Sequence, residues 1–240
     1  EDFITGPIPY NLEFAQDEES DSIQAFQHIA KKYKTHIVCG SVIKKTENKY
    51  FNASFLINDK GRIILEYRKN NLWHPERRYI TPGNQIQVVQ TSIGKIGIII
   101  CWDLAFPEIC QRLAKQKVDI ICCPSYWIEY DERMLTKKYG VPSGISFVNT
   151  LCPARAMENE ALFIYANGAG KADIKLKTKM LKDKQIGQTQ ICTPVFGTVA
   201  RINDNSEGFI TYEYNRDLAK DVEKTYKIRK DLYHSRHGSL

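Results

Sequence analysis

Cys101 is the residue of this sequence best placed to act as a nucleophile. It ends the apolar run Ile98-Ile99-Ile100 and stands ahead of a segment, 106–113, whose apolar residues have helical spacing. Sheets of α/β proteins place reactive groups at the carboxyl ends of their strands, and amide groups at a helix N-terminus stabilise a thiolate. The alternative is that Cys101 is a small hydrophobic residue of the core, as most free cysteines are.

Two upstream residues could serve such a nucleophile, which needs a base for its proton and a group that stabilises a tetrahedral oxyanion. Both lie in the segment 66–77, which follows a strand-like run and is rich in ionisable side chains. His74 could accept the thiol proton, as in papain-like hydrolases. Lys69 could supply a cation that stabilises both thiolate and oxyanion. The residues alone leave both pairings open.

Length and composition are those of an ordinary globular protein. The 240 residues are 42% hydrophobic and 26% charged, which suits one large α/β domain or at most two small ones. No run approaches the roughly 20 apolar residues of a membrane span, and no signal-peptide pattern is visible. The formal net charge of +6 arises from lysines and glutamates that alternate along the chain. We therefore expect neither a membrane nor a nucleic acid as a partner.

The seven cysteines argue against both a disulfide framework and a structural zinc site. Their number is odd, and the sequence contains no CxxC pair and no Cys/His cluster with zinc spacing. Nucleotide and haem motifs are also missing from the sequence. We expect a reduced, cytoplasmic setting and no metal or other cofactor.

The apolar pattern alternates between helical and strand-like spacing, mixed with hairpins. This order predicts an α/β domain with mixed sheets. The segment 128–153 lacks clear periodicity, contains two glycines and two prolines, and is expected to be irregular and to border the site. The predicted helices are 20–34, 106–116, 152–160 and 217–232, and the predicted strands are 36–42, 50–57, 62–67, 85–92, 95–101, 118–124, 161–167, 190–194, 197–202 and 208–214.

Five motifs together resemble those of the nitrilase (carbon–nitrogen hydrolase) superfamily, over residues 1 to about 215. The glutamate, lysine and cysteine motifs stand in the order of that family, which makes the combination far more specific than any one of them. The motifs are Glu1-Asp2-Phe3-Ile4-Thr5-Gly6; Arg68-Lys69-Asn70-Asn71-Leu72-Trp73 through Glu76-Arg77 with Thr81-Pro82-Gly83; Ile100-Cys101-Trp102-Asp103 through Phe106-Pro107-Glu108; Ala154-Arg155-Ala156-Met157-Glu158-Asn159; and Gly187-Gln188-Thr189-Gln190-Ile191 with Pro194 and Gly197.

The resemblance implies an α/β fold of four layers, an αββα sandwich of two mixed β-sheets flanked by helices. It also implies a Glu-Lys-Cys triad in which Glu1 is the general base, Lys69 the oxyanion-stabilising cation and Cys101 the nucleophile. The backbone N–H of Trp102 would be the second oxyanion donor. Glu76 matches a second acidic position of the family and is expected to orient Lys69 or to aid proton transfer.

Aromatic residues are the candidates for shaping the substrate pocket. Tyr126 and Trp127 follow the strand that ends at Pro124, so they would face the pocket of Cys101; the alternative is that they are buried packing residues. Trp73 and its surroundings are also expected to shape the pocket. Beside a lysine-based site, His74 would be a loop histidine at the entrance.

Three further residues are predicted to have structural roles. Asp103 is expected to cap the helix that follows Cys101. Arg155 and Glu158 stand three apart on a predicted helix and are expected to form an ion pair.

The resemblance covers one domain, and we expect residues 1–240 to form a single carbon–nitrogen hydrolase domain. Members of the family carry a strand and a helix, one βα unit, ahead of the motif glutamate, and none precedes Glu1. Because omitting a core strand would leave its neighbour with a bare edge, we expect the natural protein to be longer.

The function implied is a cysteine-dependent hydrolase that cleaves a non-peptide C–N bond of a small amide or carbamoyl compound. A thioester would form and ammonia or an amine would leave. The Cys-Trp-Asp and Phe-Pro-Glu sequences resemble the amide-cleaving members more than the nitrile hydrolases, which more often have Cys-Trp-Glu. The alternatives are a nitrile hydrolase of the same superfamily, a papain-like hydrolase and a non-catalytic scaffold member. The resemblance also implies a homodimer or higher homo-oligomer, packed through helices beside the site.

Overall fold

The computed structural model describes residues 12, 15–172, 174–175, 180–181 and 183–234. Its helices are α1 (Asp21–Tyr33), α2 (Pro107–Lys115), α3 (Arg133–Tyr139), α4 (Ser143–Glu158), α5 (Arg216–Tyr226) and α6 (Ile228–His234). Its strands are β1 (Ile37–Val38), β2 (Val42–Thr46), β3 (Lys49–Ile57), β4 (Ile63–Arg68), β5 (Val88–Thr91), β6 (Gly94–Ile98), β7 (Ile120–Ser125), β8 (Leu162–Asn167), β9 (Ile174–Lys175), β10 (Met180–Leu181), β11 (Gln190–Thr193) and β12 (Gly197–Arg201). Short 3₁₀ helices lie at Glu76–Arg78, Cys101–Ala105 and Glu129–Glu132.

The first sheet is built around β3. β4 lies antiparallel along one side of β3, and β1 and β2 share the other side. The predicted strand 36–42 is interrupted, because Val38 lies opposite Leu56 whereas Val42 lies opposite Ala53. Four residue steps therefore face three, as in a β-bulge. A parallel bridge from Gln16 to β2 makes this sheet mixed, as predicted.

The second sheet has six strands in the order β12-β11-β8-β7-β6-β5. β6, β7 and β8 run parallel, and the pairs at either side of them are antiparallel. Cys101 comes three residues after the end of β6, on the side of the sheet where β7 and β8 have their carboxyl ends. The sequence-based position of Cys101 at the carboxyl end of a central strand is therefore confirmed.

The two sheets stack between helices, which confirms the four-layer αββα sandwich. On the outer face of the first sheet, Phe55 and Ile57 of β3 pack against Ile23 of α1. The intervening Leu56 turns inward and belongs to the core between the sheets. This alternation is the period of two expected for a strand buried on both faces. On the far side, α2 and α4 cover the second sheet, and their buried side chains continue the same core.

The segment 128–153 is helical for the most part, so its predicted irregularity is wrong. Helix α4 buries Gly144, Val148, Cys152 and Ala156, each four residues after the last. These residues do have helical spacing, but most are small, so they do not form an obvious apolar stripe in the sequence. Glu132 supports the start of α4 by accepting hydrogen bonds from the Gly144 N–H and the Ser143 hydroxyl.

Two other predicted elements differ from the structure. The segment 208–214 is extended but forms no strand ladder within the described residues, although Ile210 and Tyr214 pack against the core. The predicted helix 217–232 is divided at Lys227, which has a left-handed backbone. α6 is then fixed by the buried Arg229, which donates hydrogen bonds to the carbonyls of Val118, Asn159 and Glu160.

β4 has a partner strand on one side only, within the described part of the chain. Its other side faces a groove of about 540 Å³, lined by β4 itself and by Gly83, Asn84, Gln85 and Gln87. Gly83 closes one end, since its N–H donates to the carbonyl of Lys69 at 2.8 Å. A Cβ on Gly83 would lie 2.2 Å from the Arg68 carbonyl oxygen.

Replacing Gly83 with alanine is therefore expected to destabilise the fold by about 2–3 kcal/mol, since backbone atoms must move apart. Urea unfolding followed by circular dichroism measures the loss. The matched control is Gly140→Ala, where a Cβ meets nothing within 4 Å and only the positive φ of 71° opposes the change. That strain costs roughly 1 kcal/mol. Equal losses in the two variants would contradict the close approach at Gly83.

Candidate active site

The backbone at Cys101 is strained. Cys101 has a φ of +44°, in the left-handed region that non-glycine residues seldom adopt. It begins the 3₁₀ helix Cys101–Ala105, and its side chain is buried, with 7% exposure. Strain of this kind costs about 1–3 kcal/mol and is found most often at functional sites.

The turn that begins at Cys101 starts with backbone N–H groups that are not used within the turn itself. The N–H of Asp103 bonds to the carbonyl of Ile100 at 3.0 Å. The N–H of Trp102 precedes this first turn, and the first N–H groups of a helix have no partner within the helix. The N–H of Trp102, the predicted second oxyanion donor, is one of these groups.

Lys69 is the most deeply buried cation of the site, with 1% exposure. It follows the last residue of β4, and its backbone N–H donates to the Asn52 carbonyl of β3 at 2.8 Å. Its Nζ donates to Oε2 of Glu76 at 2.7 Å. A buried ammonium requires such a counter-charge, because removing it from water is otherwise very costly.

Glu76 is itself held by the groups around it. Oε2, which accepts from Lys69, also accepts the backbone N–H of Trp73 at 2.6 Å. Oε1 accepts from Nδ2 of Asn52 at 2.8 Å. The carboxylate is therefore fixed by two elements, and the contact expected between Glu76 and Lys69 is present.

Asp103 connects the lysine-bearing segment with the turn of Cys101, and sequence analysis missed this contact. Oδ2 accepts from the Tyr67 hydroxyl at 2.7 Å and from the Ile100 N–H at 3.0 Å. Oδ1 accepts from the backbone N–H and the side-chain amide of Asn71, at 2.7 and 3.1 Å. Asp103 thus caps the turn that holds Cys101, and the expectation that it caps the following helix is wrong.

Burial raises the pKa of Asp103 to about 6, against an ordinary value of 3.8. Hydrogen bonds from Tyr67, Ile100 and Asn71 and the positive charge of Lys69 oppose this rise.

Aromatic rings surround the turn of Cys101. The ring of Trp102 lies 4.5 Å from that of Trp73 and 5.8 Å from that of Trp127, between centroids. Phe147 of α4 stacks on Trp102 at 6.0 Å. The structure therefore brings two of the three predicted substrate-binding residues against Trp102. The third, Tyr126, is half-buried at the end of β7.

Four other residues were given roles from the sequence: Glu1, His74, Arg155 and Glu158. Glu1 lies outside the described residues. His74 is exposed and stacks on Trp73, 4.8 Å between centroids. The predicted ion pair of Arg155 with Glu158 is present at 2.7 Å. Arg155 also donates two hydrogen bonds to the carbonyl of Leu104, which fixes the rear of the Cys101 turn.

Burial raises the pKa of most of the other thiols and so lowers their reactivity. Burial raises the pKa of Cys39 and Cys122 to about 12, and that of Cys192 to about 11. It also places the pKa of Cys110 and Cys152 well above the ordinary range. Because the thiolate is the nucleophile, these five cysteines react slowly at neutral pH.

Among the residues described, no group of three or more His, Cys, Asp or Glu side chains is arranged to hold a metal ion. In the same part of the chain, none of the helices combines the length and the apolar character that crossing a membrane requires.

Removing the charge of Glu76 tests the buried ion pair. Glu76→Gln leaves the Lys69 ammonium buried without its counter-charge, so the free energy of unfolding should fall by about 3–5 kcal/mol. Urea unfolding measures it, with Asp217→Asn as the control, because the Asp217–Lys220 pair is exposed and its loss should leave the curve unchanged. An unaltered midpoint for Glu76→Gln would contradict the pairing.

The raised pKa of Asp103 predicts a pH dependence of stability with a definite sign. The folded protein binds the Asp103 proton more tightly than the unfolded chain does, so this group's stabilising contribution is present below pH 3.8 and is lost as the pH rises through 6. Relative to Asp103→Asn, the wild type should lose up to roughly 3 kcal/mol of unfolding free energy between pH 4 and pH 7. Unfolding curves across that interval measure the unfolding free energy of both proteins. A wild type that becomes more stable relative to Asp103→Asn as the pH rises would refute the assignment.

Proteins of similar sequence identify the family of this chain. The profile of the carbon–nitrogen hydrolase family matches residues 2–224. A probable nitrilase of Schizosaccharomyces pombe is 29% identical over 213 residues, covering 87% of this chain and 70% of the relative. A 2-oxoglutaramate amidase of Bacillus subtilis is 25% identical over 238 residues, covering 96% of this chain and 83% of the relative.

A solved structure shares the fold. The structure of XC1258, a carbon–nitrogen hydrolase superfamily protein of Xanthomonas campestris, superposes with a TM-score of 0.79 at 18% identity, covering 100% of this chain and 84% of the other. The family profile extends over nearly the whole sequence and includes both motifs that meet at Asp103. This chain belongs to the carbon–nitrogen hydrolase family, the nitrilase superfamily of hydrolases that act on carbon–nitrogen bonds.

Proposed function

We propose that this protein is an amidase-type hydrolase that cleaves a non-peptide C–N bond of a small amide or carbamoyl compound through a thioester on Cys101. The observation that carries the proposal is the buried Lys69–Glu76 pair, on a segment joined through Asp103 to the strained turn of Cys101. A buried lysine and a cysteine with a left-handed backbone are each costly to maintain, and acyl transfer uses both groups.

The first half of the reaction forms the thioester. The Cys101 thiol gives its proton to the Glu1 carboxylate, and the sulfur attacks the carbonyl carbon of the substrate. The Lys69 ammonium and the Trp102 N–H stabilise the tetrahedral oxyanion. When the oxyanion collapses, the C–N bond breaks and the nitrogen takes the proton from Glu1, so that ammonia or an amine leaves.

The second half hydrolyses the thioester. Glu1 accepts a proton from water as the water attacks the acyl carbon, and Lys69 again stabilises the oxyanion. The carbon–sulfur bond breaks, the thiolate recovers the proton and the acid departs. Glu76 orients Lys69 in both halves, in keeping with their 2.7 Å contact.

The choice of an amide over a nitrile rests on similarity. The Cys-Trp-Asp sequence and the amidase of Bacillus subtilis favour an amide, whereas the probable nitrilase of Schizosaccharomyces pombe keeps a nitrile substrate as the second candidate. Trp73, Trp127 and Tyr126 are proposed to shape the acyl pocket, because two of these rings pack on Trp102 beside the nucleophile.

We also propose a homodimer or a higher homo-oligomer and a cytoplasmic setting. Exposed apolar side chains support the first: Met157 of α4 and Val195 and Phe196 at the tip of the β11–β12 hairpin are between 43% and 65% exposed. The second is supported by the seven cysteines, none of which forms a disulfide in the structure.

Ammonia release from a panel of amides, ureido acids and nitriles tests the reaction. Cys101→Ala and Lys69→Ala should each lose at least about 10³-fold in kcat/KM, since they remove the nucleophile and an oxyanion donor. His74→Ala should retain activity within a few-fold. Loss of turnover in His74→Ala with retention in Lys69→Ala would replace this mechanism with a papain-like pair.

A thiol probe distinguishes an enzyme from a scaffold. Limited iodoacetamide followed by peptide mapping should label Cys101 ahead of the six other cysteines, because burial suppresses the reactivity of most of them. Uniform labelling, or none, would favour a non-catalytic member of the family.

A further inference from the structure

The carboxylate of Asp103 takes no part in the proposed proton transfers, yet several donors hold it in place. It is fully buried, and its two oxygens accept four hydrogen bonds. Two donors, Tyr67 and Asn71, lie in the segment that carries Lys69. One donor, the N–H of Ile100, lies immediately ahead of Cys101. One side chain therefore joins the first sheet to the second at the site.

The turn of Cys101 also needs an external restraint. A left-handed cysteine relaxes toward ordinary backbone angles unless its neighbours prevent it. Asp103 closes the turn twice, with its N–H on the Ile100 carbonyl and its side chain on the Ile100 N–H, both at 3.0 Å. Arg155 holds the rear of the turn through Leu104 and pairs with Glu158 of its own helix.

We propose that Asp103 is a positioning residue for the reaction: it fixes the strained turn of Cys101 against the segment of Lys69 and so sets how the sulfur meets the oxyanion donors. The inference rests on the proposed function. Asp103 acts through Cys101 and Asn71 and does not touch the substrate. Its role belongs to the chemical step, which depends on sub-ångström placement, rather than to substrate affinity.

The chemistry of the contact requires an ionised carboxylate. Four donors converge on Asp103, and a carboxylate is the side chain that only accepts. An amide in its place turns an NH₂ group toward two of these donors, which breaks the contact with one of the two segments. Removing the Tyr67 hydroxyl is a gentler change, since three of the four donors remain.

The experiment compares three variants of the whole protein. Asp103→Asn disrupts the connection, Tyr67→Phe weakens it, and Asp119→Asn is the matched control. Asp119 likewise accepts a backbone N–H, that of Lys95 at 2.7 Å, but at the opposite end of β6. The measurements are kcat and KM for an amide turned over by the wild type, the rate of Cys101 alkylation by iodoacetamide, and the melting temperature.

Asp103→Asn should lower kcat by about 10²-fold with KM within about three-fold, and should slow alkylation of Cys101 by about ten-fold. Tyr67→Phe should lower kcat by roughly three- to ten-fold, and Asp119→Asn should match the wild type in kcat and alkylation. A merely structural role would lower the melting temperature and leave both rates unchanged in folded protein.

The proposal is overturned if folded Asp103→Asn keeps wild-type kcat and alkylation, or if KM alone rises. If Asp103→Asn does not fold, Tyr67→Phe decides, and wild-type rates in that variant overturn the proposal. Alkylation needs no substrate, so it separates the two hypotheses. Slower alkylation in Asp103→Asn, with no turnover in the wild type, would retain the positioning role and reject the amidase.

Discussion

The buried ammonium of Lys69 is the constraint on which the rest of the site depends. A cation with 1% exposure persists only where an anion and a rigid frame stabilise it. Glu76 is that anion, and Asn52 of β3 holds both the Glu76 carboxylate and, through its carbonyl, the Lys69 backbone. The charge is therefore fixed by the central strand of the first sheet rather than by a surface loop. This arrangement explains why the ammonium of a lysine, ordinarily a flexible residue, is held in one place here.

Cys101 is fixed by the second sheet in a comparable way. β6 ends at Ile98, the chain continues through two buried isoleucines, and Cys101 then adopts a left-handed backbone. The turn is closed in front by Asp103 and behind by Arg155 of α4. Lys69 thus follows a strand of the first sheet and Cys101 follows a strand of the second, and Asp103 joins the two segments.

Much of this could be predicted from the sequence because it depends on local signals. The hairpin of β3 and β4 follows from alternating apolar residues and from Gly61, whose φ is +74°; the position of Cys101 follows from the isoleucine run and the helix after it. The first half of helix α4 was missed because its buried stripe consists mostly of small residues, whereas its last residues fall in the predicted helix 152–160. The predicted strand 208–214 was wrong, since this segment has no partner strand within the described residues. The partners of Asp103 could not be found, since Tyr67 and Asn71 lie 36 and 32 residues away and nothing local marks a shared acceptor. The placement of Glu1 lies outside the described residues, so its role stays a prediction.

Helix α3 illustrates a different property of the fold. None of its seven residues is buried, whereas Glu132 just ahead of it is anchored to the start of α4. Substitutions in α3 should therefore change the free energy of unfolding little, provided that Glu132 keeps its hydrogen bonds to the start of α4. We call these bonds the Glu132 anchor. The anchor adjoins Trp127, whose indole nitrogen would lie 3.1 Å from a Cβ on Gly144. A randomised library confined to this short helix would vary an exposed surface next to the Glu132 anchor while sparing the core, which makes it a convenient starting point for directed evolution.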